Sequence, residues 1–447
     1  MSRPARRTTL PERHAPCVHA PADVFAWRGA QAITAREFVT DVARVAAALP
    51  AASHLLNLCT DRYRFTVFFV AAVMRGQVTL LPPGTHANVL RSLHALAPGA
   101  CYVADESHDG LGLPRFEPDA ASSATLPLTP IPADQVVACL FTSGSTGEPQ
   151  PHFKTWGSLV ADARAAAERL GAGPGDTILG TVPAQHMYGF ECTVMLPLQS
   201  GAALTSERPY FPAEIDAAIS RAPPRRLLFS TPFHLRAWLA GGEPARVETI
   251  VSATAPLSVD LAREAEARTG ARLIEIYGCT EAGQVATRRT ALGEEWTLYE
   301  GMRLREQAGR VIVSGGHVDE PTVMHDLIEI RGDGRHFVLH GRLADMVNIA
   351  GKRSSLAHLN HQLTSIPGVV DGVFHAPDER EADGVTRLVA FVVAPTLDAR
   401  RVLAALRERI DAAFLPRPVV MVESLPRDRA GKITREALRV LAQRARR

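Results

Sequence analysis

The sequence predicts an α/β protein, with a large multi-sheet α/β N-terminal domain followed by a smaller α+β C-terminal domain. Three observations carry that expectation. The chain has 447 residues, more than one ordinary core of on the order of 150 residues accommodates. Ala-rich helical stretches alternate with short β-branched runs through most of its length, the pattern of sheets with crossover helices. Beyond Gly341 the order changes to strand, strand, helix, strand, helix.

The elements follow in order. Residues 37–49 read as a helix and 55–59 as a buried strand. Residues 65–75 read as a second helix, and 78–81 as a strand ended by Pro82-Pro83. The stretch 105–133, rich in Asp, Gly, Pro and Ser, is a looser connector. Residues 136–141 return to strand, and 156–170 form a helix closed by the turn chemistry of Gly171 to Gly175. Short strands follow at 177–182, 227–230, 250–252 and 273–276. In the last part, 369–375 and 387–393 are strands, 399–413 an amphipathic helix, 419–423 a strand and 434–444 the closing helix. The boundary falls between 344 and 345, giving domains 1–344 and 345–447.

Composition narrows the functional classes. Hydrophobic residues make up 46% and charged residues 21%, which excludes wholesale disorder. A net charge of +2, from 49 basic and 47 acidic side chains, argues against nucleic acid as partner. The most apolar stretch, 65–74, is closed by Arg64 and Arg75 and is too short for a membrane span. The basic opening MSRPARRTTLPERHAP lacks an apolar core, so it reads as a disordered arm rather than a secretory signal. Six cysteines, at 17, 59, 101, 139, 192 and 279, form no CxxC pair and read as idle thiols of a cytoplasmic protein.

The strongest local signal is the run Thr142-Ser143-Gly144-Ser145-Thr146-Gly147 after a buried strand and before a helix. Its glycines let backbone N–H groups approach a ligand and its hydroxyls add donors, which suits phosphate oxygens. It is not a Walker A loop, since GxxxxGK[ST] is absent from the sequence. A plain Ser/Gly turn has the same composition. Glu281, in Tyr277-Gly278-Cys279-Thr280-Glu281, follows a strand end, where a carboxylate can hold Mg²⁺ on a nucleotide. Alone it is more often an acid opening a helix. Lys432, in Pro426-Arg427-Asp428-Arg429-Ala430-Gly431-Lys432, is by itself a surface lysine on an exposed turn.

In this order, TSGSTGEP at 142–149, YGCTE at 277–281, GRLADMV at 341–347 and PRDRAGKI at 426–433 give the chain another reading. It resembles the adenylate-forming superfamily of acyl- and aryl-CoA synthetases, luciferases and peptide-synthetase adenylation domains. The resemblance covers roughly residues 30 to 445, and the run TSGSTGEPQPHFKTW looks most like stand-alone aryl-acid ligases of aryl-polyene and xanthomonadin-type pigment pathways.

The resemblance implies activation of a carboxylic acid by ATP and Mg²⁺ to an acyl-adenylate, then transfer to a thiol. That thiol is the phosphopantetheine of an acyl carrier protein, with CoA as the alternative acceptor, and the acid is aryl, such as a hydroxybenzoate. A fatty or short-chain acid is the alternative, and a degenerate nucleotide-binding module is the non-enzymatic one. Carried over, Thr142 to Gly147 grip the β- and γ-phosphates, Glu281 binds Mg²⁺ and Thr280 lies near the α-phosphate. Tyr277 and Gly278, with Ala253, Thr254 and Ala255, flank the adenine. Asp326 meets the ribose although the usual Thr-Gly before it is missing, and Arg342 assists at the ribose or phosphate. His186, Tyr188, Gly189 and Phe190 fall in the acyl-pocket segment, and His186 fits a pocket wall as well as the carboxylate. Asp345 falls at the hinge about which the small domain moves, and Lys432 stabilises charge on the α-phosphate.

One departure matters. The family continues Pro-Lys after the loop, whereas this chain reads Pro149-Gln150-Pro151-His152-Phe153-Lys154. Lys154 and His152 are the replacements on offer for the missing cation. The alternative is that Lys154 opens the following helix and faces solvent.

Overall fold

The computed structural model describes residues 12–82, 84, 87–106, 108, 111–118, 126–143, 149–342, 345–349, 352–377, 387–427, 433 and 435–445. The basic N-terminal arm, at 1–11, lies outside them.

Two large sheets dominate. The larger has eleven strands, and its middle is a parallel run of Arg272–Cys279, Thr249–Ser252, Arg226–Ser230, Thr177–Gly180, Ala203–Thr205 and Val24–Arg28. Antiparallel strands extend it at both ends, Asp326–Ile330 being the far edge of one. The second sheet runs Cys101–Val103, His54–Asn57, Val78–Leu81, Val136–Ser143 and Pro149–Thr155, and only the last pair is antiparallel. Met302–Gln307, Arg310–Gly315 and Val318–Val323 form a small antiparallel sheet beside them. In the C-terminal part, Asp371–His375, Val389–Val393 and Val419–Met421 make a three-stranded sheet with the helices Leu356–Thr364 and Ala399–Arg407.

Local chemistry sets the helix ends. Thr34 and Glu37 form a reciprocal capping box that opens Ala35–Ala48. Thr155 caps Trp156–Leu170, which Gly171 ends in the left-handed region at φ 70°. The apolar stretch read from 65–74 belongs to the helix Arg62–Met74, buried nearly all round because it touches strands of both large sheets. Among the described residues no helix is long and apolar enough to cross a membrane.

At the start of that helix lies Arg62, 1% exposed. Its guanidinium donates to the carbonyls of Gly180, Val182, Thr205 and Glu207 and to the Thr193 hydroxyl, at 2.7–3.2 Å. Burial lowers its pKa to about 10, which leaves it charged at neutral pH. One buried fork therefore joins the helix between the sheets to the ends of two parallel strands.

Several elements differ from expectation. The phosphate-loop candidate is followed by a strand, Pro149–Thr155, before the helix begins. The amphipathic helix expected over 399–413 ends at Arg407, and a short 3₁₀ turn covers Ala412–Phe414. All six cysteines are free, four of them buried.

Candidate active site

The strands Thr177–Gly180, Arg226–Ser230, Thr249–Ser252 and Arg272–Cys279 lie side by side, and their C-terminal ends open on one edge. Open α/β sheets bind ligands at that edge. The candidate segments leave from these ends: 183–190 after Gly180, 253–257 after Ser252 and 280–282 after Cys279. In the second sheet, Val136–Ser143 delivers the hydroxyl-rich loop. Gly144, Ser145, Thr146, Gly147 and Lys432 lie outside the described residues, as do the side chains of Thr142, Ser143 and Arg342.

Two predicted residues meet directly. The Tyr277 hydroxyl donates to Asp326 Oδ2 at 2.6 Å, so the strand Arg272–Cys279 and the sheet's edge strand present one joined pair. The Tyr277 ring is held edge-on by Phe337, with centroids 5.7 Å apart. Gly278 follows at a bulge, where an added Cβ would lie 2.3 Å from the Gly283 carbonyl. No larger residue fits that approach. Ala253 is buried, Thr254 half-buried and Ala255 exposed. Thr254 holds φ 78°, a left-handed conformation rare for a β-branched residue and a mark of a constrained loop. Backbone register pairs Asp326 with Arg342, and Asp345 is half-buried just beyond.

Glu281 opens no helix. It sits with half-buried Thr280 in the tight turn between the antiparallel strands Arg272–Cys279 and Gly283–Arg288, with its carboxylate 37% exposed. His152 Nε2 stands 3.7 Å from Glu281 Oε1, and burial holds the His152 pKa below its ordinary value while Glu281 opposes that shift. Lys154 does not open a helix either, and it does not face solvent. It lies in the strand Pro149–Thr155, buried, with Nζ donating to the Glu281 carbonyl at 2.9 Å.

The acyl-pocket candidates divide. His186 is half-buried at the start of a helical turn, where Nδ1 accepts from the Tyr188 N–H at 3.3 Å. Tyr188 is buried with its hydroxyl donating to the Val251 carbonyl at 2.8 Å, spanning the helix and the parallel strands. Gly189 is required by packing, since a Cβ would lie 2.0 Å from the Pro183 carbonyl. Phe190 is fully buried against Phe65 and Phe69, in the core rather than on a pocket surface.

From the C-terminal part, Arg427 forms a two-pronged pair with Asp371 at 2.6 and 2.7 Å. Its guanidinium carbon lies 5.5 Å from the ring centre of Phe233, at the start of the helix Pro232–Ala240. Arg236 of that helix donates to the Val370 carbonyl at 3.3 Å. Arg427, the foot of the segment leading to Lys432, thus rests at the C-terminal end of the strand Arg226–Ser230.

Sequence reasoning overlooked a buried polar group below Glu281: Asp162, Glu191, Gln284, Tyr299 and His317. One signal for it was present. Glu191 is the lone charge in the apolar run Met187 to Leu198.

Comparison with known proteins identifies the family. Residues 12–315 match the AMP-binding enzyme family, and residues 360–432 match the AMP-binding enzyme C-terminal domain. The chain belongs to the AMP-binding enzyme family. It is an enzyme, an AMP-forming acid–thiol ligase. Among similar proteins is a 4-coumarate–CoA ligase of Rhodobacter capsulatus, 33% identical over 299 residues, which covers 65% of this chain and 73% of that one. A 3-hydroxybenzoate–CoA/4-hydroxybenzoate–CoA ligase of Thauera aromatica is 26% identical, with 72% and 69% covered. The fold matches o-succinylbenzoate CoA synthetase of Bacillus subtilis with its acyl-adenylate intermediate, at a TM-score of 0.81, 18% identity and coverage of 94% and 95%. ATP-bound MatB of Rhodopseudomonas palustris superposes at 0.80, with 21% identity and coverage of 96% and 98%.

The AMP-binding fold would use Mg²⁺ with its nucleotide. Among the described residues no three His, Cys, Asp or Glu converge as a cage. The single part-exposed carboxylate of Glu281, beside His152, fits the ion nonetheless, because Mg²⁺ takes one or two carboxylates and completes its shell with phosphate oxygens and water.

Proposed function

We propose that this enzyme activates an aryl carboxylic acid, such as a hydroxybenzoate, with ATP and passes it to a thiol. A carboxylate oxygen attacks the α-phosphorus and pyrophosphate leaves; the thiol then attacks the acyl carbonyl and AMP leaves. The observation that carries the aryl reading is that the similar ligases include several named for ring acids, 4-coumarate and hydroxybenzoate among them. The acceptor we favour is the phosphopantetheine arm of an acyl carrier protein, in a pathway of the aryl-polyene type, from the resemblance of residues 142–156. CoA is the second reading, supported by those same relatives.

In this reading Thr142 to Gly147 hold the β- and γ-phosphates, and Tyr277, Gly278 and Ala253 to Ala255 flank the adenine. Asp326, oriented by the Tyr277 hydroxyl, accepts from the ribose, and Arg342 beside it serves ribose or phosphate. His186, Tyr188 and Gly189, backed by Phe190, form the acid's side of the crevice. Glu281 holds Mg²⁺, whose charge offsets that of the phosphates, with Thr280 near the α-phosphate. The domains are 1–344 and 345–447, Asp345 is the hinge, and Lys432 arrives with the small domain. A mobile cation can serve the first step and then leave room for the thiol.

ATP–pyrophosphate exchange over a panel of hydroxybenzoates, cinnamates, short-chain and fatty acids tests the acid. Thioester formation with CoA and with a holo carrier protein tests the acceptor. Exchange confined to aliphatic acids would overturn the aryl reading. Glu281→Gln keeps size and removes charge, so the Mg²⁺ concentration for half-maximal exchange should rise several-fold while turnover falls. An unchanged magnesium titration would remove Glu281 from the metal.

A further inference from the structure

Beneath the turn that carries Glu281 lies a polar cavity of about 260 Å³, lined by Lys154, Asp162, Glu191, Glu281, Gly283 and His317 among others. Lys154, Asp162, Glu191 and His317 are 8, 2, 3 and 7% exposed. Asp162 Oδ2 accepts from Gln284 Nε2 at 3.0 Å, and Gln284 Oε1 accepts from the Tyr299 hydroxyl at 3.1 Å. Asp162 Oδ1 and Glu191 Oε1 meet no aligned donor among the described residues. His317 Nε2 stands 3.1 Å from Asp162 Oδ1, off the hydrogen-bond line.

Two buried carboxyls side by side are unfavourable unless a cation faces them or one keeps its proton. Burial first, and then the Asp162 charge, push the Glu191 carboxyl well above the usual range, while Lys154 pulls it back. Lys154 lines the same cavity wall as these acids.

Its place on the backbone is as telling. The strand Pro149–Thr155 is the return arm of the phosphate-loop hairpin, and Ala138 on the outgoing arm is the partner of Lys154. From there Nζ reaches a carbonyl 127 residues away, that of Glu281. His152, two residues earlier on the same face, approaches the carboxylate of the same glutamate. Gly283, at φ 76°, lets the Glu281 turn settle on the cluster, since a Cβ there would lie 3.0 Å from Glu191 Oε1 and 3.3 Å from His317 Nε2.

We propose that Lys154 is a positioning residue that registers the phosphate-loop hairpin against Glu281, with Asp162 as its buried counter-charge. This rests on the reading of the hairpin and Glu281 as the nucleotide site. It replaces the role of Lys154 as a substitute cation on the triphosphate with one beneath it.

Lys154→Met keeps the apolar stem and removes both charge and donor. In thermal unfolding of the ligand-free enzyme, Lys154→Met should lower the midpoint by several degrees. Asp162→Asn, which keeps an oxygen to accept from Gln284, should recover at least about half of that loss when combined with Lys154→Met, as coupled neighbours do. Strictly additive shifts would overturn the counter-charge. In exchange assays, Lys154→Met should lower kcat about tenfold and raise the Mg²⁺ requirement more than about threefold, with the KM for ATP held within about twofold. A several-fold rise in that KM with an unchanged Mg²⁺ curve would make Lys154 a phosphate ligand and overturn the proposal. Lys154→Arg, which keeps the charge, should retain most of the midpoint. If Lys154→Met fails to fold, the Lys154→Met/Asp162→Asn chain must fold, or the proposal fails. The unfolding cycle needs neither acid nor ATP, so it decides this point independently. Absence of exchange by the unaltered enzyme with every acid would instead overturn the proposed function.

Discussion

Replacing Lys432 with alanine is expected to slow adenylation by about two to three orders of magnitude, because one charge contact made in the transition state is worth ~3–4 kcal/mol. Negative charge builds on the α-phosphate as the carboxylate oxygen attacks and pyrophosphate departs. A compact ammonium on a flexible stem meets that charge without requiring a fixed fork. Thioester formation from supplied acyl-adenylate should change far less, since the phosphate is then a leaving group already activated. The nearest described residue ahead of it in the chain is Arg427, which is anchored. Arg427 is held by Asp371 and rests on Phe233 at the ligand edge of the large sheet. Five extended residues reach no more than about 18 Å from that foot. Single-turnover measurement of each half-reaction checks the expectation. Equal losses in both would return Lys432 to the protein surface.

The largest loss of stability is expected from Arg62→Met. The substitution keeps an apolar stem but strands four carbonyls and a hydroxyl, which the guanidinium satisfies at 2.7–3.2 Å. Breaking a buried charged network of this kind costs ~3–5 kcal/mol. Urea unfolding followed through the buried Trp156 and Trp238 should show a lower midpoint. Arg62→Lys should fall between, because it keeps the charge and loses the fork. Thr193→Val should cost much less, as it removes a single partner. A change of less than about 1 kcal/mol for Arg62→Met would show that water replaces the fork without penalty.

How much of this was legible beforehand depended on the physics of each element. The helices Ala35–Ala48 and Trp156–Leu170 announce themselves through caps and period, as Thr34 with Glu37 and Thr155 with Gly171 show. The strand Pro149–Thr155 did not, because prolines at 149 and 151 lack the N–H that a paired strand uses, so an extended run there does not announce a ladder. The prolines are tolerated because the strand is an edge, with no partner on its outer side to miss that N–H. The placement of Glu281 was half legible. Its strand was evident, but the reversal after it depends on Gly283 in the left-handed region, which composition alone does not distinguish from a helix start. The strands Met302–Gln307 and Val318–Val323 are mostly exposed and carry too little apolar alternation to be read. The cluster around Asp162 and Glu191 showed only as Glu191, a lone charge in an apolar run, because its members are far apart in sequence and meet only through tertiary packing.

The helical segment from Met187 to Ser200 contains a π turn, Glu191–Met195, between two α-helical pieces. Such a turn holds one residue more than an α-helix of the same length requires. The piece before it presents Tyr188 to the parallel strands, whereas the piece after it is set by a different angular phase. The turn absorbs that residue, so deleting it would regularise the helix with its flanking pieces in place, whereas an unabsorbed insertion or deletion would turn everything beyond it by about 100°, one residue's share of a 3.6-residue turn. For anyone grafting acid specificity between ligases of this fold, the segment is a unit whose length is part of its information. Substitutions transfer within it, while unabsorbed insertions and deletions rewrite which side chains the crevice and the buried cluster receive.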